Sequence, residues 1–160
     1  VLRIVSCSSF LPQKRIQMMA KLIVGFALKN PQKQVSWQHF GDGPHRQEVL
    51  NYLAKYSPPN LTSQFPGSVP NQTVVAHYKS QPVDVFVNLS DSEGIPVSIM
   101  EAQACGIPVI ATDVGGVAEI INNDNGYLVG FKNDIIVSSG SVCVENCDIS
   151  PYKLKPRSIE

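Results

Sequence analysis

The segment spanning residues 83–101, VDVFVNLSDSEGIPVSIME, constrains the fold of this chain more than any other segment. Its first half is an apolar run typical of a buried β-strand, and after a turn with Gly94 a helix is predicted whose first residue is Pro96. A strand that passes through a short turn into a helix leaves free backbone N–H groups and the positive helix end at one edge of the sheet. The segment therefore predicts an anion site, most simply for a phosphate.

Two carboxylates, Glu93 and Glu101, flank the predicted anion site. Because like charges repel, they are suited to accepting hydrogen bonds from the hydroxyl groups of sugars and riboses rather than to binding phosphate. On the residues alone, two ordinary interpretations stay open. Glu93 would then stabilise the helix dipole by about 0.3–1 kcal/mol, and Glu101 would be a solvated helix carboxylate.

Predicted strands and helices alternate along the chain. The strands are predicted at residues 3–8, 34–40, 61–65, 83–89, 108–111 and 126–129, and the helices at 14–28, 49–53, 67–81, after Pro96, and as a turn at 116–121. This alternation is typical of parallel βαβ units in an α/β, Rossmann-like, doubly wound parallel sheet. Such a sheet brings three strand ends together, at residues 8–14, 65–69 and 90–97.

The composition fits one globular domain. The chain has 160 residues, 43% of them hydrophobic, and a formal net charge of zero, which gives no basic surface for nucleic acid. No apolar run approaches the ~18 residues of a membrane span, and the first residues do not resemble a signal peptide, so a cytoplasmic location is expected. The four cysteines do not indicate a disulfide framework.

Residues 92–121, SEGIPVSIMEAQACGIPVIATDVGGVAEII, followed by NGYLV at 125–129, carry a family resemblance. The matching features are the Glu-x7-Glu pair, the run 101–112, Gly115-Gly116 with Glu119, and Asn125-Gly126. This ordered set resembles the signature of the C-terminal, nucleotide-sugar-binding lobe of retaining glycosyltransferases of group 1 with the two-lobe GT-B architecture.

The resemblance implies that residues 1–131 form one donor-binding lobe and that residues 132–160 are an atypical tail. It implies transfer of a hexose from a UDP- or GDP-linked donor to an acceptor hydroxyl, in polysaccharide or glycoconjugate biosynthesis, with no cofactor and no metal ion. The partner would be a preceding acceptor-binding lobe, which would also allow contact with the inner face of the membrane. Alone, the lobe is expected to bind donor without catalysis.

The resemblance also implies a role for individual residues. Glu93 would face the transferred sugar, Lys14 would offset charge on the departing diphosphate, and Glu101 would hold the ribose. The remaining predicted binding residues are Ser9, Gly67, Val69, Gly94, Ile95, Pro96, Val97 and Ser98. Within this set, backbone amides near Ile95, Val97 and Ser98 would take the diphosphate, and Gly67 and Val69 would lie beside the nucleobase.

The segment around Lys14 departs from the family pattern Gly-Arg-Leu-x-x-x-Lys-Gly. Ser9 replaces the arginine, and Ser8 and Arg15 replace the flanking glycines. Arg15 is an alternative second cation, and Lys14 itself has the alternative of a solvated lysine at a helix start.

Other functional readings are less favoured by the sequence. The acids of Asp91-Ser92-Glu93 resemble a metal-binding pair, but a helix start suited to the diphosphate makes a metal unnecessary. The three histidines share no ligand spacing and are expected at or near the surface, and Cys143 with Cys147 lacks the second pair of a zinc site.

Two functional alternatives stay open. One is a free-standing nucleotide-sugar-binding module or gene remnant, and the other is a GT-B-fold epimerase or phosphorylase. Three interpretations of the tail stay open: a truncated end, a frame-altered end and an extra strand-like tail.

Overall fold

The computed structural model describes residues 1–130 and the backbone of two short strands at 135–138 and 141–144. Six parallel strands form one sheet in the order β3-β2-β1-β4-β5-β6. They are β1 (Leu2–Cys7), β2 (Val35–Phe40), β3 (Leu61–Gly67), β4 (Val85–Asn88), β5 (Val109–Thr112) and β6 (Gly126–Val129). The predicted doubly wound parallel sheet is confirmed.

Four α-helices connect these strands. They are α1 (Ile16–Lys29), α2 (Arg46–Tyr56), α3 (Asn71–Ser80) and α4 (Val97–Ala104), with 3-10 turns at Pro12–Lys14 and Val117–Glu119. After the sheet, β7 (Ile135–Ser138) pairs antiparallel with β8 (Ser141–Val144). The predicted boundary at residue 131, the rest of the predicted tail, and the side chains of Cys143 and Cys147 lie outside the described residues.

The sheet has a hydrophobic core on each face, because side chains of a strand alternate between its two sides. Ile4 and Val85 point toward α1 and α2, whereas their neighbours Val5 and Phe86 point toward α3 and α4. In α1 the apolar residues recur at helical spacing, and those that are buried are Ile16, Met19, Ala20, Ile23, Val24 and Ala27. This pattern fixes which face of the helix packs on the sheet.

The start of α1 differs from the predicted helix at 14–28. Lys14 ends a 3-10 turn, and Arg15 follows with φ = 53°, in the left-handed region that favours glycine. The pattern that the sequence resembles has glycine at this position, and here an arginine takes up the left-handed conformation. The helix therefore begins at Ile16 after a sharp corner that leaves Lys14 in the loop.

The strand order places the ligand-binding edge of the sheet. From β1 the chain moves outward to β2 and β3, then returns past β1 to β4 and continues to β5 and β6. At such a reversal, the loops after the two central strands diverge to opposite faces and leave a crevice at their carboxyl ends. The loops after β1 and β4 are therefore the ones that line the crevice.

His39 lies on β2 inside the core, which corrects the prediction of a surface or half-buried histidine. Its side chain is 0% exposed. Nε2 lies 3.0 Å from the carbonyl of Ser8, which can only accept, so Nε2 carries the proton and Nδ1 accepts from Ser6 Oγ at 2.8 Å. Trp37 Nε1 donates to the same hydroxyl at 2.9 Å. This closed set of hydrogen bonds explains how a neutral imidazole is accommodated there.

Acid should destabilise the protein through His39. Burial lowers the pKa of this imidazole to about 4 from 6.5, so the folded chain resists a proton that the unfolded chain accepts. The stabilisation is complete above pH ~6.5 and falls as the pH drops toward 4, where the loss reaches about 3 kcal/mol.

Two measurements check this expectation. Proton NMR of the folded chain should show no titration of His39 above pH ~5, and chemical denaturation of His39→Gln should show a shallower loss of unfolding free energy between pH 6.5 and 4. A His39 resonance that titrates near pH 6.5 would contradict it.

Candidate functional site

The loops after β1 and β4 are joined at the crevice by an ion pair. Lys14 Nζ donates to Glu93 Oε1 at 2.7 Å, and the amide of Asp91 donates to the carbonyl of Gln13 at 2.9 Å. The Lys14 side chain is 22% exposed and that of Glu93 is 9% exposed. Two of the residues that the sequence singled out, distant along the chain, thus meet at the carboxyl edge of the sheet.

The Glu93 carboxylate is held in its charged form. Burial acts to raise its pKa, but hydrogen bonds and the Lys14 charge outweigh burial, and the pKa lies below its usual value. Asn88, the last residue of β4, contributes by donating from Nδ2 to Glu93 Oε1 at 3.3 Å, while its Oδ1 accepts from the Ser90 amide at 3.0 Å. Asn88 is a site residue that the sequence analysis missed.

Unused backbone donors follow Glu93 along the turn into α4. Within the described part of the chain, the amides of Gly94, Ile95, Val97 and Ser98 donate no hydrogen bond. Val97 and Ser98 open α4, so their amides lie at its positive end. Ile95 and Val97, which carry two of these amides, are exposed residues, at 49% and 60%.

Pro96 has a structural position in this turn. It precedes α4 as its N-cap rather than forming its first residue, its side chain is buried, and it has no amide proton. Its carbonyl accepts from the amides of Ile99 and Met100. No backbone polar group of Pro96 is thus left for a ligand, and its effect is to set the direction of the helix start.

The turn is braced from behind by the loop after β5. The amide of Gly116 donates to the carbonyl of Gly94 at 3.0 Å. Gly115 adopts φ = 55°, and a Cβ atom there would lie 1.7 Å from the Glu93 carbonyl oxygen. Gly115 therefore has a close-packing role, because only a residue without a side chain permits this contact.

Glu101 lies in the second turn of α4, at the same edge of the sheet. Its Oε1 accepts from Asn71 Nδ2 at 2.6 Å, which joins α4 to the first residue of α3. Burial, and then the nearby Glu101 charge, raise the pKa of the Cys7 thiol to about 11. Cys7 ends β1, the strand whose loop carries Lys14.

The other predicted residues lie on the surrounding loops. Ser9 is half-buried between β1 and the 3-10 turn that ends at Lys14. Gly67 ends β3 and its carbonyl accepts from the Gly41 amide at 2.9 Å, while Val69 packs against the core between the sheet and α3. The structure brings Lys14 to Glu93 and Asn71 to Glu101. Among the described residues, neither Ser9 nor Val69 forms a side-chain hydrogen bond or ion pair with either acid.

The site lies at the carboxyl edge of the sheet, where β1 and β4 end. A cavity of about 360 Å³ lies elsewhere, between the first turns of α1 and α2, and includes neither acid. Among the residues that the structure describes, no three His, Cys, Asp or Glu side chains are grouped to hold a metal ion. In the same part of the chain, no helix combines the length and apolarity that crossing a membrane requires.

Comparison with known families and sequences gives a consistent picture. The family model described as glycosyl transferases group 1 matches residues 2–137. A sulfoquinovosyl transferase of Arabidopsis thaliana is 29% identical over 103 residues, which cover 64% of this chain and 18% of that protein. An amylovoran biosynthesis glycosyltransferase of Erwinia amylovora is 33% identical over 109 residues, covering 66% of this chain and 29% of that protein. The chain thus spans less than a third of these relatives.

Solved structures share the fold. TarM from S. aureus, in a complex whose description includes UDP, has a TM-score of 0.69 at 24% identity, covering 82% of this chain and 26% of that one. The C-terminal domain of a group 1 glycosyl transferase family protein from Francisella tularensis has a TM-score of 0.66 at 22% identity, covering 81% of this chain and 68% of that domain.

Replacing Gly115 should disrupt the turn that carries Glu93. Gly115→Ala places a methyl group on the Glu93 carbonyl in a left-handed backbone, and we expect a loss of roughly 2–4 kcal/mol in the free energy of unfolding. The matched control is Gly94→Ala, where a Cβ would meet nothing within 4 Å, and its expected loss is below about 1 kcal/mol. Chemical denaturation measures both, and equal losses would show that the packing of Gly115 is unimportant.

Proposed function

Because the chain belongs to the glycosyl transferases group 1 family, we propose that it is the lobe that binds the nucleotide diphosphate sugar donor. The observation that carries this proposal is the junction of β4 and α4. There, free amides at the positive end of a helix lie next to a lysine and an ionised glutamate. Amides and the ammonium group suit a diphosphate, and the carboxylate suits sugar hydroxyls.

In this proposal Lys14 binds both Glu93, which holds the sugar, and the diphosphate of the donor. An ammonium group has three N–H donors, and one of them reaches Glu93. The remaining two point away from that bond and can reach phosphate oxygens. When the bond between the anomeric carbon and the diphosphate oxygen breaks, negative charge grows on the leaving oxygen, and a fixed cation stabilises that charge.

Glu93 holds the transferred hexose through its hydroxyl groups. Its depressed pKa keeps it an acceptor at neutral pH, and the bonds from Lys14 and Asn88 fix its orientation before the donor arrives. The new bond forms between the anomeric carbon and the acceptor oxygen on the face that the diphosphate leaves, and the acceptor's hydroxyl proton passes to the departing diphosphate oxygen. The anomeric configuration is therefore retained. Orienting the sugar in this way is the contribution that a positioned carboxylate makes.

An acceptor-binding lobe completes the catalytic cleft. The support for this step is the coverage of the relatives, of which the chain spans 18% and 29% in the two cases above, and the similarity to a separately solved C-terminal domain. Catalysis requires positioning of the acceptor and exclusion of water, which closure between two lobes supplies. The lobe by itself is therefore proposed to bind donor without transferring the sugar, within polysaccharide or glycoconjugate biosynthesis.

Glu101→Ala tests the ribose assignment. If the carboxylate accepts hydrogen bonds from ribose hydroxyls, its loss should weaken binding of UDP or GDP by about 10- to 100-fold. Titration calorimetry or ligand-observed NMR on the purified chain measures this, with Glu119→Ala as the control for losing an exposed glutamate elsewhere. Unchanged affinity in Glu101→Ala would remove Glu101 from the site.

Lys14→Met tests the diphosphate assignment. The variant keeps the length of the side chain but loses the charge, so the affinity for UDP should fall about 10-fold or more while that for uridine changes little. Equal effects on UDP and uridine would mean that Lys14 acts through the fold.

The expectation that no metal ion is needed stays a prediction, tested by repeating the UDP titration with EDTA and with Mg²⁺.

A further inference from the structure

Asn71 holds the carboxylate of Glu101 in one orientation. It is the first residue of α3 and follows the loop that leaves β3, whereas Glu101 lies on α4, so the 2.6 Å hydrogen bond joins two separate elements. A glutamate side chain rotates freely on a helix surface unless a partner holds it. The Asn71 amide supplies that partner at one oxygen, Oε1, and leaves Oε2 for another ligand.

The chemical nature of its partner, a neutral amide, determines which ligands the Glu101 carboxylate can bind. Among the described residues, Glu101 forms no ion pair, which separates it from Glu93 with its lysine. A neutral amide orients a carboxylate without cancelling its charge, so the acid keeps its full strength as an acceptor. An oriented, uncompensated carboxylate at the ligand edge of the sheet is suited to binding a pair of neighbouring hydroxyl groups.

We propose that Asn71 is a positioning residue that gives the site its selectivity for ribose over sugars lacking the 2′- and 3′-hydroxyls. This inference rests on the proposed function, because it needs the nucleotide to lie against α4. Asn71 is the first residue of α3 and acts through its hydrogen bond to Glu101. Losing the amide leaves Glu101 in place but free to rotate, so ribose binding weakens and the rest of the nucleotide is held as before.

The test compares a ribonucleotide with its analogue that lacks both hydroxyls. UDP and 2′,3′-dideoxy-UDP are titrated against the unmodified chain, Asn71→Ala, Asn71→Asp and Gln72→Ala. Gln72 is the exposed neighbour of Asn71 in the same helical turn and serves as the matched control. Asn71→Asp places a second carboxylate against Glu101 and replaces the attraction with repulsion.

The expected result is a change in selectivity rather than a general loss. Asn71→Ala should weaken UDP binding about three- to tenfold and leave the dideoxy analogue unchanged. Asn71→Asp should weaken UDP at least as much, and Gln72→Ala should match the unmodified chain. Equal losses for UDP and the analogue in Asn71→Ala, or no loss for either, would overturn the inference.

Glu101→Ala separates failure of this inference from failure of the proposed function. If Glu101→Ala abolishes the preference for UDP and Asn71→Ala keeps it, Glu101 binds ribose without help from Asn71, and only the positioning role is wrong. If the unmodified chain binds neither UDP nor GDP, or binds UDP and its analogue equally, the ribose site itself is wrong and the inference fails with it.

Discussion

The reversal of strand order between β1 and β4 is the constraint on which the site depends. Right-handed crossovers send α1 to one face of the sheet and α4 to the other, so the two loops separate at the carboxyl edge. The Lys14–Glu93 ion pair spans that separation. An exposed ion pair contributes little to stability, but this one is largely shielded and supported by Asn88. It sets the distance between the two loops where the ligand is proposed to bind.

The two acids of the Glu-x7-Glu pair have different electrostatic surroundings. Glu93 is matched by a cation and is held ionised, whereas Glu101 is oriented by a neutral amide. At the proposed diphosphate position, a compensated pair avoids adding net negative charge beside an anion. Beside a ribose, which carries no charge, an uncompensated carboxylate is the stronger acceptor. One sequence motif thus contains two acids of different chemistry, and the difference comes from residues outside the motif.

Most of the sheet could be predicted from the sequence, because buried parallel strands are short apolar runs separated by glycine, proline and polar residues. The predicted β1, at residues 3–8, is observed at Leu2–Cys7, and the β4 to α4 turn lies where it was expected. The corner at Arg15 was not predictable from local propensity, since an arginine does not indicate a left-handed backbone.

The sequence also did not reveal which polar side chains form hydrogen bonds with each other in the folded chain. His39 is buried because Ser6 lies on the neighbouring strand in matching register, and that register follows from the assembled sheet. The same holds for Asn71 and Asn88, whose importance comes from the acids they contact. For Asn88, a polar side chain at the end of a predicted strand is the signal that could have drawn attention to it. Asn71 has no such signal, because it lies inside the predicted helix at 67–81.

The contact between Gly115 and the Glu93 carbonyl has a consequence for motion. The turn before α4 lies between Lys14 in front and the loop after β5 behind, and a methyl group would not fit at the rear contact. A segment clamped on both sides does not fold over its ligand as a lid does. In the two-lobe arrangement proposed above, closure over a ligand therefore falls to a hinge rotation that moves this edge of the sheet as one rigid piece.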